Sequence, residues 1–297
     1  NALLQPRRKL GGGDIELLHS QQDLVFKLIL NGDLKTAQGM VLAGAEVNSF
    51  KDPVGRTTLH AAVAVEAVGL CRLLVTNRAD VNAVDLQLRS VLHWASESGH
   101  HGLLKLFIEA KADLNALDAK MESPACLAAG SGHLGALRAL LAAGASPDAP
   151  EVDVSRPGTA EFGASADELL GPAPSPRVPK SPGKSQGLVR RSFTAASEVQ
   201  PLLAPTPPLI RALQRDAVHS IVDELLKARA NVAAVDLRNN TALHVACQAR
   251  NVAAVRLLLD RKADVNAQNM ELRTSLHYAA AIGESRIIKQ LLDYKAE

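Results

Sequence analysis

Aromatic side chains are scarce in this chain of 297 residues: they make up 3% of it, with Trp94 as its one tryptophan. Apolar residues nonetheless account for 47%, so the interior has to be built from leucine, valine, isoleucine and alanine. Protein interiors are close-packed, and small aliphatic side chains suit helices that lie close together. The composition therefore favours thin, stacked helices over a thick globular core.

Cysteine, net charge and long apolar runs are lacking too. Cys71, Cys126 and Cys247 are odd in number and widely spaced, which argues against a disulfide framework and against a zinc site. A formal net charge of +2 gives no reason to expect nucleic acid or an anionic membrane as a partner. No signal peptide or membrane-spanning run is recognisable. We therefore expect buried, reduced thiols and a cytoplasmic location, with the nucleus as the alternative.

Internal repetition is what the chain does have. His60 and His93 are 33 residues apart, as are His244 and His277. The phase is broken once, after Pro147-Asp148, and resumes after an extra 52 residues. A period of this length predicts a solenoid of stacked units that carries one insertion.

Each unit opens and closes on a recurring phrase. Thr57-Thr58-Leu59-His60-Ala61-Ala62 and Thr241-Ala242-Leu243-His244-Val245-Ala246 are two openings, and Ala79-Asp80-Val81-Asn82-Ala83 is a closing phrase. These phrases resemble those of the ankyrin-repeat family, whose signature is T-P-L-H-x-A. The resemblance implies an all-α solenoid, with two short antiparallel helices and a β-hairpin loop in each unit.

Four segments follow from this alignment. Residues 1–22 form a flexible segment or cap, 23–149 hold repeats 1–4, 150–204 form a Pro/Ser/Gly-rich disordered insertion, and 205–297 hold repeats 5–7. The seventh repeat is expected to be truncated within its second helix, which indicates a piece of a longer protein. The unbroken phase across the insertion favours one continuous solenoid over two separate blocks.

The recurring histidines predict a structural ladder, because side chains 33 residues apart in a stack do not converge on a metal or a substrate. Trp94 is expected to pack in the core. Four residues stand where Gly55 and the family pattern predict glycine, and we expect strained turns there: Leu88, Met121, Asn239 and Leu272. No catalytic residue, metal site or cofactor is predicted, and neither G-x-x-x-x-G-K-[ST] nor H-E-x-x-H occurs.

The resemblance implies that a partner protein binds the hairpin tips and the concave face of the first helices. Alignment of the repeats gives these candidate contact residues: Arg56, Leu86, Gln87, Arg89, Glu97, Lys120, Glu122, Leu237, Arg238, Asn240, Met270, Glu271 and Arg273. Arg56, Arg89 and Arg273 share one repeat position, which predicts a basic row suited to a partly acidic partner, interrupted by Glu122 and Asn240. The predicted function is a monomeric interaction scaffold or adaptor without enzymatic activity. A regulatory ankyrin domain of a larger enzyme or channel is the alternative.

Short motifs add candidate modification sites. Ser181 precedes Pro182 as in a proline-directed kinase site, and Pro179-x-x-Pro182-x-Lys184 fits a polyproline ligand. Glu198-x-x-x-Leu202-Leu203 resembles an acidic dileucine signal. At the repeat position of the closing phrase, three asparagines resemble targets of an asparaginyl hydroxylase: Asn82, Asn115 and Asn266.

Overall fold

The computed structural model describes residues 24–148, 206–215 and 219–296. These ranges belong to one compact unit, which comprises residues 1–150 and 203–297. The expected insertion, and with it the kinase, polyproline and dileucine motifs around Ser181, lies outside the described residues.

Seven pairs of short helices fill the described ranges. Helix α1 includes residues 24–30, and the others are α2 (Leu34–Leu42), α3 (Thr58–Ala64), α4 (Val68–Thr76), α5 (Val91–Ser98), α6 (His101–Glu109), α7 (Pro124–Gly130), α8 (Leu134–Ala142), α9 (Pro208–Gln214), α10 (His219–Lys227), α11 (Ala242–Gln248), α12 (Val252–Asp260), α13 (Ser275–Ile282) and α14 (Ser285–Asp293). The odd-numbered helices open the units and the even-numbered ones follow. The first helices pack side by side from unit to unit, and so do the second helices. The predicted ankyrin-repeat solenoid is confirmed.

The opening phrase places the start of each first helix. Thr57 precedes α3 in an extended conformation, and its hydroxyl accepts from the backbone N–H of His60 at 3.4 Å. The His60 ring returns a bond, since its Nδ1 accepts from the backbone N–H of Thr57 at 3.2 Å. This reciprocal pair is a capping box in which histidine replaces the usual Glu or Gln. Helices α5, α11 and α13 begin in the same way.

The loops between units differ from the β-hairpins that the sequence predicted. Isolated bridges such as Lys51–Thr57 and Val84–Ser90 are present, but the described residues contain no strand. The turns are closed by carboxylate and amide side chains that bond to the backbone, so a longer ladder is not needed to satisfy these N–H groups.

The seventh unit has a complete second helix. Helix α14 spans nine residues, as α12 does in the unit before it. The prediction that the chain breaks off within this helix was therefore wrong.

Units on the two sides of the insertion pack directly against each other. Helix α9 lies against α7, and α10 lies against α8. The Asp148 side chain accepts from the backbone N–H of Asn231 at 2.7 Å, and Arg138 bonds to Glu224 at 2.9 Å. The stack therefore continues across the interruption in the sequence.

Closing-phrase side chains join several neighbouring loops. The Asn82 Oδ1 atom accepts from the backbone N–H of Asp113 at 2.8 Å, and Asn115 accepts from Ser146 at 2.9 Å. Asn48 makes the same bond to Asp80 at 2.9 Å. These contacts explain the repeated asparagine, since they satisfy a backbone donor of the neighbouring unit.

We predict that Ala233→Asn stabilises the protein by about 1 kcal/mol. Ala233 occupies the repeat position of Asn82 and Asn115, and its backbone N–H bonds to Asn231 at 2.9 Å, as that of Asn82 bonds to Asp80. An alanine offers no oxygen to the backbone N–H of Asp264, and asparagine would supply one. Urea denaturation measures the gain. The matched control, Asn115→Ala, should lose a similar amount, and equal stability of both variants with the wild type would contradict the role of this ladder.

Candidate protein-interaction surface

Five turns at the outer ends of the loops share one geometry. We call them the tips, and they are residues 52–56, 85–89, 118–122, 236–240 and 269–273. Each begins with an Asp or Asn whose Oδ1 accepts from the backbone N–H groups two and four residues later. For Asp85 these bonds, to Gln87 and Arg89, are 2.8 and 2.9 Å long. Such bonds hold each tip rigid without a β-ladder.

The fourth residue of every tip has a positive φ angle. It is 80° at Gly55 and 57 to 60° at Leu88, Met121, Asn239 and Leu272. A left-handed backbone is costly for residues with a side chain, so the strained turns predicted from the sequence are present. At Gly55 a side chain would also collide with the neighbouring tip, because an added Cβ would lie 2.8 Å from the backbone nitrogen of Leu86.

Neighbouring tips are joined by backbone hydrogen bonds. Leu86 donates to Val54 at 2.9 Å, and Ala119 donates to Gln87 at 2.8 Å. Tip 269–273 is joined in the same way to tip 236–240, through a bond of 3.1 Å to Arg238. The tips therefore form two fixed rows, one on each side of the insertion.

The histidine ladder, formed by His60, His93 and His244, is hydrogen-bonded to the tips. His60 accepts at Nδ1 from the backbone of Thr57, so its Nε2 carries the proton and donates to the carbonyl oxygen of Arg89 at 3.0 Å. The counterpart histidines bond to the following tip as well: His93 to Glu122 at 3.2 Å and His244 to Arg273 at 3.0 Å. Burial lowers the pKa of all three rings. The structural role predicted for these histidines is confirmed.

The structure places the predicted contact residues in three groups. Most are exposed: Leu86, Gln87, Glu97, Lys120, Leu237, Arg238, Met270, Glu271 and Arg273. Arg56 and Arg89 are half-buried. Glu122 and Asn240 are buried, at 4% and 8% exposure, so the surface role predicted for these two was wrong. Asn240 bonds to Asp236 and Asn269, and Glu122 pairs with Arg211 at 2.6 Å.

The predicted basic row is largely neutralised by its own neighbours. Arg56 pairs with Asp52 at 2.6 Å, and Arg273 lies 3.3 Å from Glu271. Arg89 pairs with Glu97. Each arginine therefore has a carboxylate beside it, and the row as a whole carries little net charge.

Trp94 was predicted to pack in the core; it is half-buried and packs against the edge of the core. Its indole N–H donates to Asp85 at 3.3 Å, and its ring stands edge-on to His60 with centroids 5.7 Å apart. The Arg89 guanidinium lies over the ring at 5.8 Å from its centroid. Beside Trp94 an open pocket of about 330 Å³ is lined also by Val63 and Ala64 of α3. We call it the Trp94 pocket.

A second pocket lies where the insertion interrupts the tips. It measures about 220 Å³ and is lined by tip 118–122, by the end of α7, and by Arg211 and Arg215 of unit five. We call it the junction pocket. Sequence reasoning missed it because Arg211 and Arg215 have no counterparts at the same repeat positions in the other units. The one available signal was the interruption itself, which removes a tip from the alignment.

The cysteine side chains are unsuited to surface chemistry. Cys71, Cys126 and Cys247 are free and buried, and burial raises the pKa of the Cys71 and Cys247 thiols to about 12. Cys126 stands where other units have the signature histidine, and its Sγ donates to the carbonyl oxygen of Thr206 at 3.4 Å. The thiol thus replaces the histidine bond at the junction.

The described ranges contain neither a metal-binding cluster nor a membrane-spanning helix. No three His, Cys, Asp or Glu side chains come together there in a way that could hold a metal ion. The same part of the chain has no helix of the length and apolar character that crossing a membrane requires.

Two glycine patterns with catalytic associations also occur. Residues 130–135 fit G-x-G-x-x-G but join α7 to α8, whereas a dinucleotide loop follows a strand. Residues 183–187 fit G-x-S-x-G and lie outside the described residues.

The hydroxylation candidates Asn82, Asn115 and Asn266 are exposed.

Comparison with known proteins gives one consistent result. The family model for ankyrin repeats (3 copies) matches residues 24–118, 63–153 and 209–297. The crystal structure of the ankyrin repeat domain of Bcl-3, described as a unique member of the IkappaB protein family, is similar with a TM-score of 0.63 and 22% identity, over 91% of this chain and 97% of that one. The human ASB11 ankyrin repeat domain gives a TM-score of 0.58 and 24% identity, over 82% and 85%. At these identities the two structures support the fold alone.

Proposed function

Since the chain belongs to the ankyrin-repeat family, we propose that it is a protein-interaction scaffold whose partner binds the tips and the inner face formed by the first helices. Ankyrin repeats are generally protein–protein interaction modules, and proteins built from them are typically non-enzymatic binding scaffolds. In this proposal the chain binds another protein and catalyses no reaction.

The observation that carries the proposal is a set of exposed apolar side chains on rigid tips. Leu86 and Met270 are each 72% exposed, and Leu237 is 49% exposed. All three occupy the second position of their tips, next to the residue whose side chain closes the turn. Large apolar side chains held out in this way contribute most to binding when a partner buries them, because little ordering entropy remains to be lost.

Site-specific photo-crosslinking tests this surface. A photoreactive residue at Leu86 or Met270 should give a crosslinked partner, and Leu86→Ser together with Met270→Ser should weaken capture of that partner at least about tenfold. Leu42 is the matched control, because it is 71% exposed but lies on α2, a second helix. Equal crosslinking from Leu42 and the tips, or unchanged capture by the double variant, would contradict the proposal.

A further inference from the structure

The described part of unit five begins at Thr206, and it follows tip 118–122 in the stack and precedes tip 236–240. The junction pocket opens at this place. Arg211 of α9 reaches back to Glu122 of the preceding tip. Where other units have an apolar or aromatic side chain, unit five thus presents an arginine to the junction pocket.

The charged side chains around the junction pocket differ in how they are paired. Arg211 pairs with Glu122, while Asp118 is used by the backbone of its own tip. Lys120 and Arg215 line the same pocket, are exposed, and have no ion-pair partner among the described residues. Both lie close enough to Glu122 to lower the pKa of its carboxyl, although burial raises that pKa overall. Two cations are therefore available to an incoming anionic group.

The junction pocket and the Trp94 pocket are neighbours. Arg89 and Glu97 line both, so their ion pair forms the ridge between the two. On this ridge the Arg89 Nε atom is buried and has no acceptor among the described residues. A buried donor without a partner costs free energy, so the ridge is a place where the structure carries an unsatisfied polar group.

We propose that the two pockets together bind one extended peptide segment of the partner, with an acidic side chain at Lys120 and Arg215 and an apolar side chain against Trp94. This rests on the proposed function and adds the chemistry of the partner. A carboxylate accepts charge-assisted bonds from both an ammonium and a guanidinium group. The apolar side chain would enter the Trp94 pocket, which Val63, Ala64 and Trp94 line.

Three carboxylates in the junction pocket lining oppose a polyanion. Glu97, Asp118 and Glu122 would repel the closely spaced phosphates of a nucleic acid or the surface of an anionic membrane. The chain as a whole carries a formal net charge of only +2. A single acidic side chain on an otherwise neutral peptide matches this arrangement better.

Selection of short random peptides displayed on phage against the full chain tests the inference. Selected peptides should be enriched in Asp or Glu a few residues from a large apolar residue. A synthetic peptide of the enriched sequence should bind at least about tenfold more weakly to the Lys120→Glu, Arg215→Glu variant. The control carries the same charge change at Lys105→Glu and Lys289→Glu, which are exposed on α6 and α14, and should bind as the wild type does.

Several results would overturn the inference while leaving the proposed function intact. Selection of no peptides, of basic peptides, or of acidic peptides that bind the charge-reversed variant equally well would each do so, provided that the tips still crosslink to a partner. If acidic peptides were selected only after residues 151–202 are replaced by a short linker, the pockets would be occupied by that segment of the chain and not by a partner peptide.

Discussion

Replacing Arg211 by methionine should lower the free energy of unfolding by about 3 kcal/mol at neutral pH. The Glu122 side chain is only 5% exposed, and among the described residues Arg211 is the one cation in direct contact with it. Methionine can fill much of the space of the arginine stem beside Gly130, but it removes the cation that contacts the buried carboxylate and leaves only the more distant Lys120 and Arg215 nearby. An unpaired buried charge is far more costly than the loss of a surface ion pair.

The pH dependence of this loss identifies its cause. Burial raises the pKa of Glu122, and Arg211 lowers it, so the pKa rises further once Arg211 is gone. A carboxyl whose pKa is higher in the folded state binds its proton before the unfolded chain does, so the variant should regain stability relative to the wild type as the pH falls from neutral toward the ordinary pKa of 4.5. Any acid effect common to both proteins cancels in the difference.

Urea denaturation of three variants separates the possible explanations. Glu122→Gln alone should cost less than Arg211→Met, because the arginine that it leaves unpaired is partly exposed and can be hydrated. The double variant should be more stable than Arg211→Met alone. A pH-independent loss in Arg211→Met, unrelieved by Glu122→Gln, would assign the effect to packing of the arginine stem and not to charge.

The helix pairs, the capping histidines and the strained fourth position of the tips were all predictable, because each depends on residues within one unit. Thr57 and His60 are close in sequence, and their reciprocal bonds follow from local backbone geometry. Leu88 and Leu272 differ from Gly55 at a single aligned position, so their left-handed backbones could be inferred from the register alone.

The junction could not be predicted in the same way. Glu122 aligns with Arg56 and Arg89 at the fifth position of a tip, and alignment alone predicted that its side chain is exposed. Its burial depends on Arg211, which comes from beyond the insertion and has an apolar or aromatic side chain as its counterpart in other units. Asn240 is likewise buried by Asn269 of the next tip. Contacts between units decide these positions, and the repeat pattern does not encode them.

The histidine ladder should make the protein sensitive to mild acid. His60, His93 and His244 are buried as neutral rings, and burial holds the pKa of each below its ordinary value of 6.5. Below pH 6.5 the unfolded chain binds protons at these sites while the folded chain resists them. Stability is therefore fully present above pH 6.5 and decreases as the pH falls. Each ring that stays neutral contributes a loss of up to about 1.4 kcal/mol per pH unit, or about 4 kcal/mol per unit for three.

Urea denaturation at about pH 7.5 and about pH 5.5 measures this loss. His93→Gln removes one titrating group while keeping a side-chain donor for the tip carbonyls, so its stability at neutral pH should fall but its pH dependence should weaken by about a third. His101→Gln is the control for substituting a histidine outside the ladder, because His101 is exposed at the start of α6. A ring that holds a tip carbonyl through Nε2 has its Nδ1 occupied by a backbone donor, so it cannot bind a second proton without breaking that bond. If His93→Gln and the wild type lost equal stability on acidification, protonation of the ladder would not be what destabilises the stack.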